Sequence, residues 1–292
     1  MPPEARVPAD PSLAGAQCGS VMITGASSGI GAAAAQLLAH KGFTVFAGVR
    51  KDSDGEELAA AHKEIRPVHL DVADSAAIAA AAKTVAAAGL PLVGLINNAG
   101  IALAGPLEFL PLDELRRQFE VNVFGPVAVT QAFLPQLREA RGRLIFVGSV
   151  SGRVAVPFLS PYSSSKFALR AIADALRVEL APWHISVSLI EPGSVKTPIW
   201  RKGRESREVL LQQLGPQAQH YYKEELEALF HTAEREERTG MPVQRVMTAI
   251  MHALDSPRPR AYYPVGSGLA KFLSLLPASF QDRMMRASLR RP

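Results

Sequence analysis

The sequence predicts an α/β protein built on a doubly wound parallel sheet of about seven strands, with helices on both faces. Three observations lead there. Short β-branched or apolar runs alternate with longer helical patterns as far as about residue 192, and the first run ends in a glycine-rich turn that opens a helix. The composition, 48% hydrophobic and 20% charged over 292 residues, suits a chain with one sizeable core.

The strand candidates are, in order, SVMITG, TVFAGVR, RPVHLDV, VGLINNA, GRLIFVGS and HISVSLIEP, with RAYYPVG as a late seventh. Between them, GIGAAAAQLLAHKG, DSAAIAAAAKTVAAAG, LDELRRQFEVNVFGPVAVTQAFLPQLREA and the segment around YSSSK are each long enough for a crossover helix. The alanine run at 76–88 reads as a helix packed closely on the sheet. Residues 193–240 break the rhythm, turning charged and aromatic. An insertion after the sixth strand, near the carboxyl ends of the strands, is placed to fold over a substrate as a helical lid. Residues 1–19, rich in proline and alanine, read as a flexible extension, and 20–292 as a single domain ending in a basic tail at 270–292.

Composition also excludes functions. A formal charge of +5 with scattered basic residues does not describe a nucleic-acid surface. The exception to the scatter, RMMRASLRRP, is placed to touch anionic lipid at a peripheral membrane contact, or a neighbouring subunit. No apolar run reaches a bilayer span, and the start lacks the basic region and apolar core of a secretory signal. Cys18 is the single cysteine, so no intramolecular disulfide or cysteine-zinc cluster forms, and a reducing, cytoplasmic setting is expected. Seven histidines without an HExxH pair give no metal site, and Met284 and Met285 read as packing residues.

The chemistry-bearing residues cluster in four short motifs. In TGASSGIG, Gly25, Gly29 and Gly31 allow a tight turn and a close backbone approach, and the amides of Ser27, Ser28 and Ile30 approach the N-terminus of the following helix, where a pyrophosphate is favoured. Glycines can equally serve the turn alone. NNAG at 97–100 follows on the fourth strand, and Ser149 ends the fifth, where it could also be a strand-end cap like Ser151. In YSSSK, helical spacing puts Tyr162 and Lys166 on one face. A free phenol has a pKa near ~10, and a cation one turn away favours its anion, so the pair is suited to exchange a proton with a substrate oxygen. Asn122 in FEVNVFGP is a polar residue four positions before Pro126, which reads locally as a helix kink with the amide satisfying the backbone.

Taken together and in this order, TGASSGIG, NNAG, Ser149 and YSSSK resemble the short-chain dehydrogenase/reductases, over residues 20–200. VFAGVR, the 105–135 stretch and SLIEPGSVKTPIW look most like the retinol dehydrogenase and 17β-hydroxysteroid dehydrogenase branch. The resemblance implies a Rossmann-type fold and reversible hydride transfer between a nicotinamide dinucleotide and a hydroxyl or carbonyl carbon. Tyr162 is then the general acid/base, Lys166 its cationic neighbour, Ser149 the hydrogen-bonding partner of the substrate oxygen, and Asn122 the holder of a water linking Lys166 to solvent. It also places Asp71 and Val72 near the adenine, Asn98, Ala99 and Gly100 along the cofactor cleft, and Pro192, Gly193, Val195 and Thr197 at the nicotinamide. Glu191 departs from many relatives but precedes the matching Pro-Gly.

At the end of the second strand stands Arg50 rather than an acid, which favours the ribose phosphate of NADP over NAD, although a solvated loop arginine would look the same. Phe158, Leu159, Leu103 and the Trp200–Tyr222 segment are candidates to line a pocket for a steroid-, retinoid- or lipid-like alcohol or ketone. The helices carrying Asn122 and Tyr162 resemble those that pair subunits in relatives, implying a homodimer or homotetramer. The alternatives are a non-catalytic dinucleotide-binding sensor or scaffold and an NAD-preferring dehydrogenase of a small alcohol.

Overall fold

The structure, a computed structural model, describes residues 19–197, 207–266 and 273–289. Cys18, the extension before it, Trp200 and both ends of the basic tail lie outside the described residues. Seven strands form one sheet: β1 (Ser20–Ile23), β2 (Thr44–Val49), β3 (Ile65–His69), β4 (Leu92–Asn97), β5 (Arg143–Val147), β6 (Ser186–Pro192) and β7 (Tyr262–Val265), each within an expected run except that β3 and β4 begin one residue before theirs. Their order is β3-β2-β1-β4-β5-β6-β7 and every pairing is parallel. The chain therefore winds outward in both directions from β1 and β4. The crevice above their carboxyl ends, where the crossovers diverge, is where such sheets bind ligands.

Strands buried on both faces explain why β1 and β2 read as unbroken apolar runs rather than alternating ones. On one face lie α1 (Gly29–His40) and a helix over Gln244–Asp255; on the other, α3 (Ser75–Ala87), α5 (Gly125–Ala140) and α6 (Ser160–Glu179). Phe133 and Phe146, fully buried in the second layer, each contribute about 1.5–3 kcal/mol by leaving water. Alanine in α3 serves close approach as expected: Ala77 and Ala81 are buried, and the Asp74 carboxylate caps the helix by accepting from the amides of Ala76 (2.8 Å) and Ala77 (3.3 Å).

Two differences from the sequence reading are instructive. A helix α2 (Asp52–Ala61) forms where no apolar period announced one, because it buries only Gly55 and Leu58 against the sheet edge. The expected single helix over 112–140 is instead α4 (Leu112–Phe119), a π turn (Glu120–Phe124) and α5. Pro126 has no N–H to give the carbonyl of Asn122, so a regular α-helix cannot continue there, and the extra residue of the π turn carries the strain. After β6 come α7 (Arg207–Tyr221), α8 (Lys223–Thr239) and α9 (Gln244–Asp255), the last strongly amphipathic and not foreseen as an element; α10 (Ala278–Leu289) ends the described chain. Among the described residues no helix is long and apolar enough to cross a membrane.

Candidate active site

The turn after β1 is built for close approach. Gly25 has φ +63°, and a Cβ on it would lie 2.8 Å from the Ala99 Cα; a Cβ on Gly31 would lie 2.3 Å from the Gly25 carbonyl oxygen. Only glycine fits at either place. Thr24, which the sequence reading passed over, joins this turn to the NNAG segment: its Oγ1 accepts from the amides of Asn98 and Ala99, both at 3.0 Å. Asn98 answers by donating Nδ2 to the carbonyls of Thr24 (2.9 Å) and Gly25 (3.0 Å). The signal was present in the first letter of TGASSGIG, but a threonine at a strand end has too many uses to be singled out alone.

Above the carboxyl ends of the strands opens a cleft of ≈ 790 Å³. Its walls include Gly25, Ser27, Ser28, Gly29 and Ile30 from the first turn, Arg50 after β2, Asp71 and Val72 after β3, and Asn98, Ala99 and Gly100 after β4. Ser149, Tyr162 and Lys166 line its other end with Pro192, Gly193, Val195 and Thr197. Gly31 and Asn122 stand behind the wall rather than in it. Gly31 lets the first helix pack, and a Cβ on Gly100 would lie 3.3 Å from Asn122 Oδ1 and 3.7 Å from Lys166 Nζ, so both side chains converge just beneath the cleft floor.

Tyr162 and Lys166 share a face of α6 one turn apart, with the ammonium 5.7 Å from the phenol ring centroid. Lys166 Nζ donates to the Val147 carbonyl at the end of β5 (3.0 Å), which locks the amine to the sheet. Ser149 faces the Tyr162 phenol closely enough to lower its pKa, and its Oγ accepts from the Ser151 amide (3.1 Å). Burial raises the phenol above its ordinary pKa, and Ser149 opposes this. Burial also lowers Lys166 to about 8. With the chain's own groups alone, burial therefore leaves Tyr162 protonated at neutral pH; the second cation of the expected pair, an oxidised nicotinamide, would come with the dinucleotide.

Asn122 is fully committed. Its Oδ1 accepts from the Ile101 amide (2.9 Å), and its Nδ2 donates to the Ile101 carbonyl (3.0 Å) and to Ser165 Oγ (3.1 Å). One turn earlier Gln118, buried and unremarked in the sequence, accepts from the Leu103 amide (2.8 Å) and donates to the Ile101 carbonyl (2.8 Å). The two amides clamp the strand-to-loop backbone beyond Gly100. The amide thus satisfies backbone groups, as the local reading expected, but those of a distant loop; the main-chain carbonyl of Asn122 is the group that Pro126 frees.

These residues fit a dinucleotide. The first turn of α1 carries no acidic residue, its N-cap Ser28 spends no side-chain bond on the helix, and the glycine cradle leaves room that a Cβ would fill. The Ser194 hydroxyl, beside Gly193 in the cleft wall, is buried with no partner among the described residues, and a bound polar ligand would supply one. Ser194 was missed because serine in a loop carries no distinguishing pattern. Among the described residues no group of histidine, cysteine and carboxylates could hold a metal ion.

The cleft's remaining wall comes from α8, where Leu229, Thr232, Ala233 and Glu236 share one helical face. The adjacent face, Leu226 and Phe230, packs with Leu210, Leu214 and Ala218 of α7. Of the expected pocket residues, Leu159 lines the cleft; Phe158 and Leu103 support it from outside, Phe158 edge-on to Tyr222 (5.8 Å between centroids) and Leu103 against the α7–α8 cluster.

With this geometry in view, comparison with known proteins is specific. The short chain dehydrogenase family matches residues 20–208. Retinol dehydrogenase 5 of Mus musculus is 37% identical over 93% of this chain and 89% of its own length. The NADPH-dependent 3-dehydrocapnine reductase of Ornithobacterium rhinotracheale is 35% identical over 92% of this chain and 97% of its own. A short chain dehydrogenase/reductase from Burkholderia phymatum, solved in complex with NAD, superposes with a TM-score of 0.74 over 94% of this chain and 96% of its own, at 24% identity. The chain belongs to the short chain dehydrogenases: it is an oxidoreductase that uses a nicotinamide dinucleotide, NAD or NADP, to interconvert hydroxyl and carbonyl groups.

Proposed function

We propose that this enzyme uses NADP(H) to interconvert a secondary or primary hydroxyl and a carbonyl on a hydrophobic, steroid-, retinoid- or lipid-like substrate, with Tyr162 as general acid/base. The observation that carries this is the convergence of Ser149, Tyr162 and Lys166 at one end of the cleft whose other end is the glycine turn. When bound, the dinucleotide supplies or accepts the hydride. Tyr162 donates its proton to the oxygen that gains charge as a carbonyl is reduced, and takes one from the hydroxyl in the reverse direction. The Ser149 hydroxyl bonds the same oxygen and the Tyr162 phenol, fixing both. Lys166, held by Val147, keeps a positive charge beneath the phenol below pH about 8.

Arg50 supports NADP. It is exposed in the cleft at the end of β2, with no ion pair among the described residues, where a ribose phosphate would meet it. Arg50→Asp is expected to shift the ratio of kcat/KM for NADPH over NADH by about 10–100-fold, the worth of one charge-assisted phosphate contact; an unchanged ratio assigns the phosphate to another residue. The substrate class rests on the apolar wall, Val156, Leu159, Leu229 and Ala233. Oxidation of NADPH with all-trans-retinal, a 3-ketosteroid and 2-decanone, against acetone as the small control, tests it: equal rates with acetone would favour a small-alcohol dehydrogenase. Phe124 at the end of the π turn and Phe167 and Val178 on α6, all exposed, support a homodimer or homotetramer through those helices; light scattering reads the mass. The basic C-terminal segment, with exposed Leu275, Phe280 and Met284, supports a peripheral contact with anionic lipid, which vesicle sedimentation reads.

A further inference from the structure

Behind the catalytic end of the cleft lies a polar cluster that the reaction above does not use. Glu191, the residue before Pro192, is fully buried in β6, yet both of its oxygens are paired. Arg153 meets it as a fork, Nε donating to Oε1 (2.8 Å) and Nη2 to Oε2 (2.6 Å), and Arg170 Nη1 donates to Oε1 (2.5 Å). On β7 the ring of Tyr262 lies under the guanidinium groups of Arg170 (4.3 Å), Arg153 (5.1 Å) and Arg177 (5.4 Å), and its hydroxyl donates to Asp174 (2.5 Å), which Arg177 also pairs (2.8 Å).

The positions of the two arginines give this cluster its meaning. Arg153 closes the short turn that begins at Ser149: the Gly152 amide donates to the Ser149 carbonyl (3.0 Å) and the Arg153 amide to the Val150 carbonyl (2.9 Å), so turn and arginine move as one piece. Arg170 follows Lys166 by four residues and Tyr162 by eight on α6. The turn and the helix touch directly at Gly152, where a Cβ would lie 2.8 Å from the Lys166 carbonyl. Glu191 itself runs into Pro192 and Gly193 of the cleft wall. A single carboxylate therefore ties together the three chain segments that carry Ser149, Tyr162 with Lys166, and the end wall of the cleft.

We propose that Glu191, through Arg153 and Arg170, is a positioning residue for hydride transfer: it holds the Ser149 turn at the distance from α6 at which the serine hydroxyl bonds the Tyr162 phenol. A bidentate arginine is suited to this because its planar fork fixes orientation as well as distance. An aliphatic contact would fill the same space and allow the turn to slide. The inference rests on the roles given to Ser149 and Tyr162 above.

Arg153→Met is the sharper test, since it leaves Glu191 paired with Arg170 and no buried charge stranded. The ionisation of Tyr162 is read in the full chain without cofactor, as the tyrosinate absorbance lost when Tyr162→Phe is added to each variant. The groups around the phenol and the tie are Ser149, Lys166, Arg170, Asp174, Arg177, Glu191 and Tyr262, and all are retained. Arg153→Met is expected to raise the Tyr162 midpoint by about half a unit or more, because the Ser149 bond that lowers it is lost, and that rise is expected to shrink by at least half in a Ser149→Ala background. Single-turnover oxidation of NADPH with 2-decanone or all-trans-retinal falls about tenfold or more in Arg153→Met and Glu191→Gln, with NADPH affinity within about threefold of the parent and Arg153→Lys intermediate. An unmoved titration and unmoved turnover in the folded variants overturn the proposal. So does a shift of equal size with and without Ser149, which would make Arg153 a charge acting through space. If the parent itself turns over neither carbonyl, the substrate reading fails while the titration still decides the role of Glu191.

Discussion

The end of β5 and helix α6, which carry Ser149, Tyr162 and Lys166, and the pair of helices after β6 face each other across one cleft, but they are held by different forces. The first is fixed by buried polar bonds to main chain: Lys166 to Val147, Thr24 to Asn98 and Ala99, Asn122 and Gln118 to the Ile101–Leu103 backbone. The second rests on its own small apolar cluster, Leu210, Leu214, Ala218, Leu226 and Phe230, and joins the body through Leu103, Phe109 and Leu110, which pack on that cluster, and through a few polar contacts. These include the Tyr222 hydroxyl on Glu108 (2.7 Å) and a bridge between Val195 and Met241. Directional buried bonds specify a geometry to a fraction of an ångström, whereas an apolar cluster specifies only that surfaces meet. The difference suits the proposed reaction, in which proton transfer is exact in distance while the opposite wall meets the proposed hydrophobic substrate.

The comparison can be broken most sharply at the phenol. Tyr162→Phe is expected to lower turnover by about 10²–10⁴-fold with dinucleotide affinity retained, since it removes the proton and keeps the ring; dinucleotide oxidation and fluorescence titration read the two quantities. Next comes Gly31→Ala, whose methyl has 2.3 Å to the Gly25 oxygen. Strain of about 1–3 kcal/mol is expected, seen as a lowered Tm and at least about tenfold weaker dinucleotide binding.

A pH experiment sharpens the same side. Folded Lys166 loses its proton at about 8, below the ordinary 10.5 that the unfolded side chain keeps. Between those values the unfolded chain binds more protons, so stability rises with pH, by at most about 1.4 kcal/mol per unit, and below pH 8 the cost of burying the cation is present in full. Urea unfolding at pH 7.5 and 9.5 should show this rise in the parent and not in Lys166→Met. Carbonyl reduction should fall over the same window as the cation beneath the phenol is lost. On the other side of the cleft the smallest effect is expected: Tyr222→Phe, which removes an exposed bond, should change KM by less than about threefold and leave kcat unchanged.

Legibility in the sequence followed the same division. The central strands could be placed because strands covered on both faces must be apolar throughout, the half-exposed edge strands β3 and β7 because they keep the alternation with helices, and the four motifs could be joined because each is a short local pattern. Gln118, Thr24, Ser194 and the Glu191 tie were not legible as a set. Their partners stand between 15 residues (Gln118–Leu103) and 75 residues (Thr24–Ala99) away along the chain where partners exist, and nothing local marks a glutamine or threonine that will be buried. Helix α2 escaped because a helix on a sheet edge needs only one apolar residue per two turns, too little to show a period.

By itself the sequence determined the order of the strands along the chain, the glycine turn, and the spacing that sets a lysine beneath a tyrosine, because each depends on residues within a few positions of one another. Only the tertiary structure decided how basic that tyrosine is. Burial, a property of every element packed around α6, raises the phenol and lowers the amine, and desolvation cannot be read from two neighbouring letters.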